Sequence, residues 1–172
     1  MAIKTILTEP NKLLRQISQP VDKVGKEEKK LMDDMLETMY AAPGIGLAAV
    51  QVGILKRIIV IDISKEKEKK TPLFLINPEI ISRSKKTSVY EEGCLSLPGY
   101  FAEIERPAEC RIKFVDYNGK EKELKTNGLL ATCVQHEVDH LNGVLFIDYL
   151  SKLKKDMIIK KLKKQKKKLD KA

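Results

Sequence analysis

The stretch Gln135-His136-Glu137-Val138-Asp139-His140-Leu141-Asn142-Gly143 decides how the rest of this 172-residue chain is read. A helix is predicted over residues 128–141, with Asn142-Gly143 as its C-terminal cap. His136 and His140 are the chain's two histidines. Two residues placed at random would fall four apart in roughly 1% of placements. On a helix, positions i and i+4 lie one turn apart on the same face, so both imidazoles reach one metal ion. Glu137 projects about 100° around the helix from His136, beside the pair rather than opposite it. This is the H-E-x-x-H arrangement, in which the carboxylate is a base for metal-bound water. Incidental histidines on a surface helix are the bland alternative, and the spacing weighs against it.

Two imidazoles leave a catalytic metal short of its usual third protein ligand. No His and no Glu follow His140, and Asp148, Asp156 and Asp170 fit neither common downstream pattern. The third ligand is therefore expected upstream, and Cys94, Cys110 and Cys133 are the candidates. Three cysteines without a secretion signal read as reduced thiols rather than a disulfide framework. Cys133 shares the histidine face of the helix but lies about 10.5 Å along the axis from His140, too far to share an ion. It reads as pocket lining. Cys110 alternates with Ile112 and Phe114 and reads as core filler. Cys94 sits in Glu91-Glu92-Gly93-Cys94-Leu95-Ser96-Leu97-Pro98-Gly99, an irregular loop able to aim a thiolate inward, and is the chosen ligand.

A second stretch, Pro43-Gly44-Ile45-Gly46-Leu47-Ala48-Ala49-Val50-Gln51-Val52-Gly53, is crowded with small residues. It lacks the lysine of a phosphate loop, and Ala49 holds the last glycine's place in a G-x-G-x-x-G pattern. Close approach of another backbone, either a peptide substrate or a packed strand, is the reading that remains. Gln51 has two readings here, a structural hydrogen bond or a catalytic amide.

Elsewhere, residues 27–42 carry Leu31, Met32, Met35, Leu36 and Met39 at helical spacing before the Pro43-Gly44 break. Residues 55–63 and 73–81 read as buried strands, joined by a charged exposed loop over 64–70. Residues 110–126 read as a hairpin with a type I′ turn at Asn118-Gly119. Residues 146–149 read as a short last strand. Helix, strands, helix and tail in this order favour an α+β domain.

The length suits one domain, and 42% hydrophobic with 33% charged residues excludes a wholly disordered chain or a membrane bundle. Nowhere do 18 apolar residues run together, and no apolar leader opens the chain; a cytoplasmic protein that does not enter membranes is expected. With 5% aromatics and no Trp, stacking platforms for single-stranded nucleic acid are not expected. The net charge of +9 is unevenly spread. Residues 1–150 balance 22 basic against 22 acidic residues, while residues 151–172 hold 11 Lys against Asp156 and Asp170. A catalytic domain over 1–150 and a basic helical extension over 151–172 follow. Leu150, Leu153, Met157, Ile158 and Leu162 form the extension's apolar stripe. It reads either as a solvated helix or as an arm for a polyanion such as RNA.

Three segments, Gly44-Ile45-Gly46-Leu47-Ala48-Ala49-Val50-Gln51, Glu92-Gly93-Cys94-Leu95-Ser96 and Gln135-His136-Glu137-Val138-Asp139-His140, closely resemble the signature motifs of peptide deformylase, in that family's order and over residues 5–150. The resemblance implies antiparallel sheets around a central metal-binding helix, with Cys94, His136 and His140 as metal ligands. It implies Fe²⁺ as the native ion, with Zn²⁺, Ni²⁺ or Co²⁺ able to take its place; the donor types alone suit either Zn²⁺ or Fe²⁺. The implied reaction is hydrolytic removal of the formyl group from the N-formylmethionine of newly made polypeptides, releasing formate. Metal-bound water attacks while Glu137 takes its proton and later passes it to the amine. The Leu95 backbone N–H, the Gln51 amide and the metal stabilise the oxyanion. The backbone of Gly44, Ile45 and Gly46 receives the extended peptide, and Cys133 helps to form the pocket for the Met side chain. Asp139 is either a ligand-orienting acid or a solvated one.

Some members carry Arg seven residues after the metal-binding Cys, where this chain has Phe101, so that substrate contact does not carry over. The tail resembles the C-terminal helix by which some members engage the ribosome, which makes ribosomal RNA a candidate partner. A monomer is expected. Two rivals stand beside this reading: a zincin-like metallopeptidase, which would cleave unformylated peptides, and a ribosome- or RNA-binding module with a structural metal, which would need a fourth ligand.

Overall fold

The computed structural model describes residues 2–65 and 69–171. Helix α1 spans Lys26–Ala41, and strands β1 (Gly46–Ala48), β2 (Ile58–Ile61), β3 (Leu73–Arg83), β4 (Thr87–Gly93), β5 (Phe101–Pro107), β6 (Glu109–Val115) and β7 (Glu121–Asn127) follow. Helices α2 (Gly128–Leu141) and α3 (Lys152–Lys171) complete the regular elements, with short 3₁₀ turns at Lys12–Arg15, Ala49–Val52 and Phe146–Tyr149. Five strands form one sheet in the order β1-β2-β3-β6-β7, and β4 pairs with β5 as a separate ribbon. Every pairing between strands is antiparallel.

Strand β2 shows why the sheet is covered on both faces. Its run Ile58-Ile59-Val60-Ile61 is buried throughout, and period-two alternation divides it between two clusters. Ile59 and Ile61 pack with Ala131, Val134, Val138 and Leu141 of α2. Ile58 and Val60 pack with Leu31, Met32, Met35 and Met39 of α1. Cys110, Ile112 and Phe114 of β6 join the α2 side. This places α2 against the interior, as the predicted fold class requires.

A third cluster lies beneath the loop after β4. Leu97, Ile104, Leu145, Phe146 and Ile147 meet Ile158 and Leu162 of α3 there. The expected apolar stripe of α3 is rotated: Ile158 and Leu162 are buried, whereas Leu153 is 80% exposed and Met157 48%. The i, i+4 pair 158/162 is the docking edge, which turns 153 and 157 to solvent.

Three local expectations change. Phe146–Tyr149 is a 3₁₀ turn, not a strand; the Leu145 N–H donates to the Asp148 carboxylate, a local bond that favours a turn over a ladder. The β6–β7 connection is not type I′, because Gly119 has φ +82° while Asn118 does not have positive φ. Instead the Gly119 N–H donates to the Asp116 carbonyl and the Asp116 N–H to the Lys120 carbonyl, a three-residue loop with Gly119 in the left-handed position. The Asp116 side chain accepts from Asn118 and Lys120. The β4–β5 ribbon was not anticipated at all.

Candidate metal centre

Three side chains from two elements converge at the C-terminal end of α2. Position i, i+4 on α2 puts His136 and His140 on one face, and the loop after β4 brings Cys94 to meet them. One donor atom from each of Cys94, His136 and His140 lies within 4.8 Å of the others. Cys94 Sγ is 3.2 Å from His140 Nε2. The loop holding Cys94 is pinned from three sides: Leu97 is buried in the third cluster, Ser96 Oγ accepts from Gln51 Nε2 at 3.0 Å, and the Ser96 carbonyl accepts from the Glu9 N–H at 2.9 Å.

His136 is oriented by Glu92, whose carboxylate meets His136 Nδ1 at 2.9 Å and leaves Nε2 free to face Cys94. Glu92 in turn accepts from Arg106 Nε at 2.7 Å and Nη2 at 3.0 Å. Burial alone would raise the Glu92 carboxyl, but the His136 and Arg106 hydrogen bonds outweigh it and hold the group below its ordinary value. Arg106 is opposed by burial in the same way, and Glu92 and Asp139 keep it charged. Asp139 does not touch a histidine; it accepts from Arg106 Nη1 at 2.8 Å and from the Tyr149 hydroxyl at 2.7 Å. Glu92 therefore occupies the place beside the ligand that Asp139 was a candidate for. A carboxylate two residues before Cys94 was the available signal. Arg106 and Tyr149 gave no sequence signal of their own.

Glu137 is buried, and burial pushes its carboxyl up to about 7, with the His136 charge pulling the other way. Its Oε1 has no hydrogen-bond partner among the described residues. A Cβ on Gly46 would stand 2.7 Å from Glu137 Oε2 and 3.0 Å from Cys133 Sγ, so the bare glycine is what admits both side chains. Gln51 holds its own strand-to-turn junction, accepting from the Ala48 N–H at 2.9 Å, and also reaches toward Cys94 Sγ at 3.6 Å. The structural reading of Gln51 is met by the Ala48 bond.

These groups line a cavity of about 600 Å³. Gly44, Ile45, Gly46, Gln51, Cys94, Leu95, Cys133, His136 and Glu137 all face it, while His140 is fully buried behind them. Phe101 stands at its rim, 66% exposed, with its ring against Gly93. The Ile45 carbonyl accepts from the Asp62 N–H across the sheet. By alternation the Gly46 N–H and C=O turn away from β2, the only strand bonded to β1 among the described residues.

The donor set suits a divalent cation. Burial holds His140 well below its ordinary value, which keeps its imidazole in the neutral form that ligates. The unpartnered Glu137 Oε1 is a buried acceptor without a donor, which an ion or its solvent would supply.

A model of the polypeptide deformylase family matches residues 3–156. A peptide deformylase of Pelagibacter ubique (strain HTCC1062) is 69% identical over 164 residues, covering 95% of each chain. One from Rhizobium meliloti (strain 1021) is 57% identical and covers 95% of this chain and 94% of its own. The crystal structure of peptide deformylase from Ehrlichia chaffeensis in complex with actinonin superposes with a TM-score of 0.92 at 48% identity, covering 96% of this chain and 98% of that one.

Proposed function

The chain belongs to the polypeptide deformylase family and removes the N-formyl group from newly made polypeptides; we propose that it does so at the Cys94–His136–His140 cluster, with Glu137 carrying the proton. The observation that carries this reading is the buried Glu137 carboxylate, whose Oε1 makes no hydrogen bond among the described residues, facing the same cavity as Cys94 and His136, with His140 directly behind them. Cys94, His136 and His140 would hold the metal. When bound, it supplies Lewis acidity that polarises a carbonyl and makes water more acidic.

The residues divide the remaining work. Gly46 presents its outward N–H and C=O to the extended peptide, and the apolar wall that includes Cys133 takes the first side chain. Water adds to the formyl carbon and leaves a proton on Glu137. Its raised affinity for protons suits it to receive one near neutral pH and release it in the next step. Of the two Gln51 amide hydrogens, one is held by Ser96 at 3.0 Å and the other makes a long contact of 3.6 Å to Cys94 Sγ; this second hydrogen, with the Leu95 N–H, is the one that would turn to the developing oxyanion. The C–N bond then breaks, formate leaves, and Glu137 returns the proton to the amine.

We assign Fe²⁺ as the native ion on the family resemblance, with Zn²⁺, Ni²⁺ or Co²⁺ as substitutes; thiolate and imidazole donors are compatible with each. No described helix is long and apolar enough to cross a membrane. The three free cysteines favour a cytoplasmic enzyme, which we propose acts as a monomer. The lysine face of α3 is the proposed contact for ribosomal RNA, since its far end is solvent-exposed.

Formate release from formyl-Met-Ala-Ser tests the central reading. The wild type is expected to turn over the formylated peptide and leave its unformylated counterpart intact, and Glu137→Ala to lose turnover while retaining one metal equivalent. Full activity in Glu137→Ala, or cleavage of the unformylated peptide, would reject it.

A further inference from the structure

A continuous chain of contacts runs from the ring of His136 to the protein surface. Glu92 joins His136 Nδ1, Arg106 grips both Glu92 oxygens, and Arg106 Nη1 meets Asp139 Oδ2. The Tyr149 hydroxyl donates to that same Asp139 oxygen at 2.7 Å. The Arg106 guanidinium also lies over the Tyr149 ring, 4.8 Å from its centroid. Tyr149 thus holds Arg106 twice, through its face and through the shared carboxylate.

The same four-residue turn touches His136 again. Phe146, at its other end, stacks on the His136 ring with centroids 6.2 Å apart and planes 26° from parallel. The turn is itself fixed by Asp148, which is bonded to Arg15 and to Lys155 of α3.

We propose that Tyr149, though 52% exposed, is a positioning residue that acts through Arg106 and Glu92 to hold His136 in its metal-binding orientation. This rests on the reading of Cys94, His136 and His140 as the metal site. The reasoning is geometric. A ligand imidazole keeps its orientation when the partner of its second nitrogen is itself fixed. Glu92 has one fixed cation, Arg106. Arg106 keeps its plane because Tyr149 closes its outer side. Loss of the hydroxyl frees Asp139 to rotate away, and the guanidinium loses its outer anchor.

The test uses the Zn²⁺-loaded full chain and measures how fast an excess of a chromogenic chelator removes the ion, beside thermal unfolding. Arg106→Lys is expected to weaken metal retention about 10- to 100-fold. Tyr149→Phe, which keeps the ring and drops the hydroxyl, is expected to speed release several-fold with little change in Tm. The double variant should release no faster than Arg106→Lys alone, because both act on one path. Tyr40→Phe removes the Tyr40–Asp62 hydrogen bond, which belongs to another part of the fold, and should leave release unchanged. Release at the wild-type rate in Tyr149→Phe would overturn the proposal, as would independent effects in the double variant or equal acceleration in Tyr40→Phe. A wild type that retains no Zn²⁺ equivalent would instead sink the metal-site reading beneath it.

Discussion

A side chain beginning at Gly46 would start 2.7 Å from the Glu137 carboxylate. The glycine of β1 and the acid of α2 are fitted so closely that one added methyl group would displace the carboxylate proposed as the base. Gly46→Ala is therefore expected to lower formate release about 10²-fold through misplacement of Glu137. Metal content should stay at the wild-type level. A rate within twofold of wild type would show that Glu137 does not depend on that space.

Gln51 links two parts of the site, accepting from Ala48 and donating to Ser96. Gln51→Ala should reduce kcat by about 10² to 10³ if its second amide hydrogen serves the oxyanion. It should also cost about 1–3 kcal/mol of stability, because the buried Ala48 N–H loses its partner. Steady-state kinetics and chemical denaturation separate the two effects, and stability loss with unchanged kcat would leave Gln51 a purely structural role.

The pair Arg106–Glu92 is almost wholly buried, at 4% and 5% side-chain exposure. Removing one member strands the other, so Arg106→Ala should destabilise the fold by about 3–5 kcal/mol. Urea unfolding measures this. A loss below about 1 kcal/mol would mean that solvent reaches the stranded carboxylate.

Asp148 gives a pH-dependent prediction. Burial raises its carboxyl, but hydrogen bonds from Lys155 and Arg15 prevail and hold it below its ordinary value. A depressed folded-state value contributes stability above the unfolded value, near 3.9, and that contribution fades as pH falls through the folded one. Wild type should exceed Asp148→Asn by on the order of 1 kcal/mol at pH 7 after screening, with the gap closing below about pH 4. A gap independent of pH would assign the effect to packing.

Within α3, Leu162 is 3% exposed and Leu169 75%. Leu162→Ala should cost about 2–5 kcal/mol, and Leu169→Ala almost nothing. Because Ile158 and Leu162 share a cluster with Leu97 and Phe146, the proposed RNA contact is best tested by changing Lys163, Lys164, Lys166, Lys167 and Lys168 to Gln rather than by truncation. Ribosome binding should fall and lose much of its salt dependence while formyl-peptide turnover persists. Unchanged binding would remove RNA as the partner of this helix.

The parts legible in the sequence were those with a strong local period. Helix α2 falls on the predicted residues 128–141, because the histidine spacing and the Asn142-Gly143 cap are both local signals. The strand Ile58–Ile61 was equally plain from its unbroken β-branched run. Strands β4 and β5 escaped notice because their outer face carries Glu91, Glu103 and Glu105, all exposed, so the alternation is charged on one side and mixed on the other. The rotation of α3 was illegible for another reason. Leu153, Met157, Ile158 and Leu162 all satisfy a helical stripe, and only the position of Leu97 and Phe146 in space selects the edge that docks. Arg106 looked like one more surface cation until the fold enclosed it between two acids from distant segments.

The free border of β1 carries a last consequence. A site that engages its guest through the outward N–H and C=O of Gly46 reads the repeating amide skeleton that all polypeptides share. Beyond the first side chain such a grip is indifferent to the message being translated, which is what a catalyst serving thousands of different gene products requires.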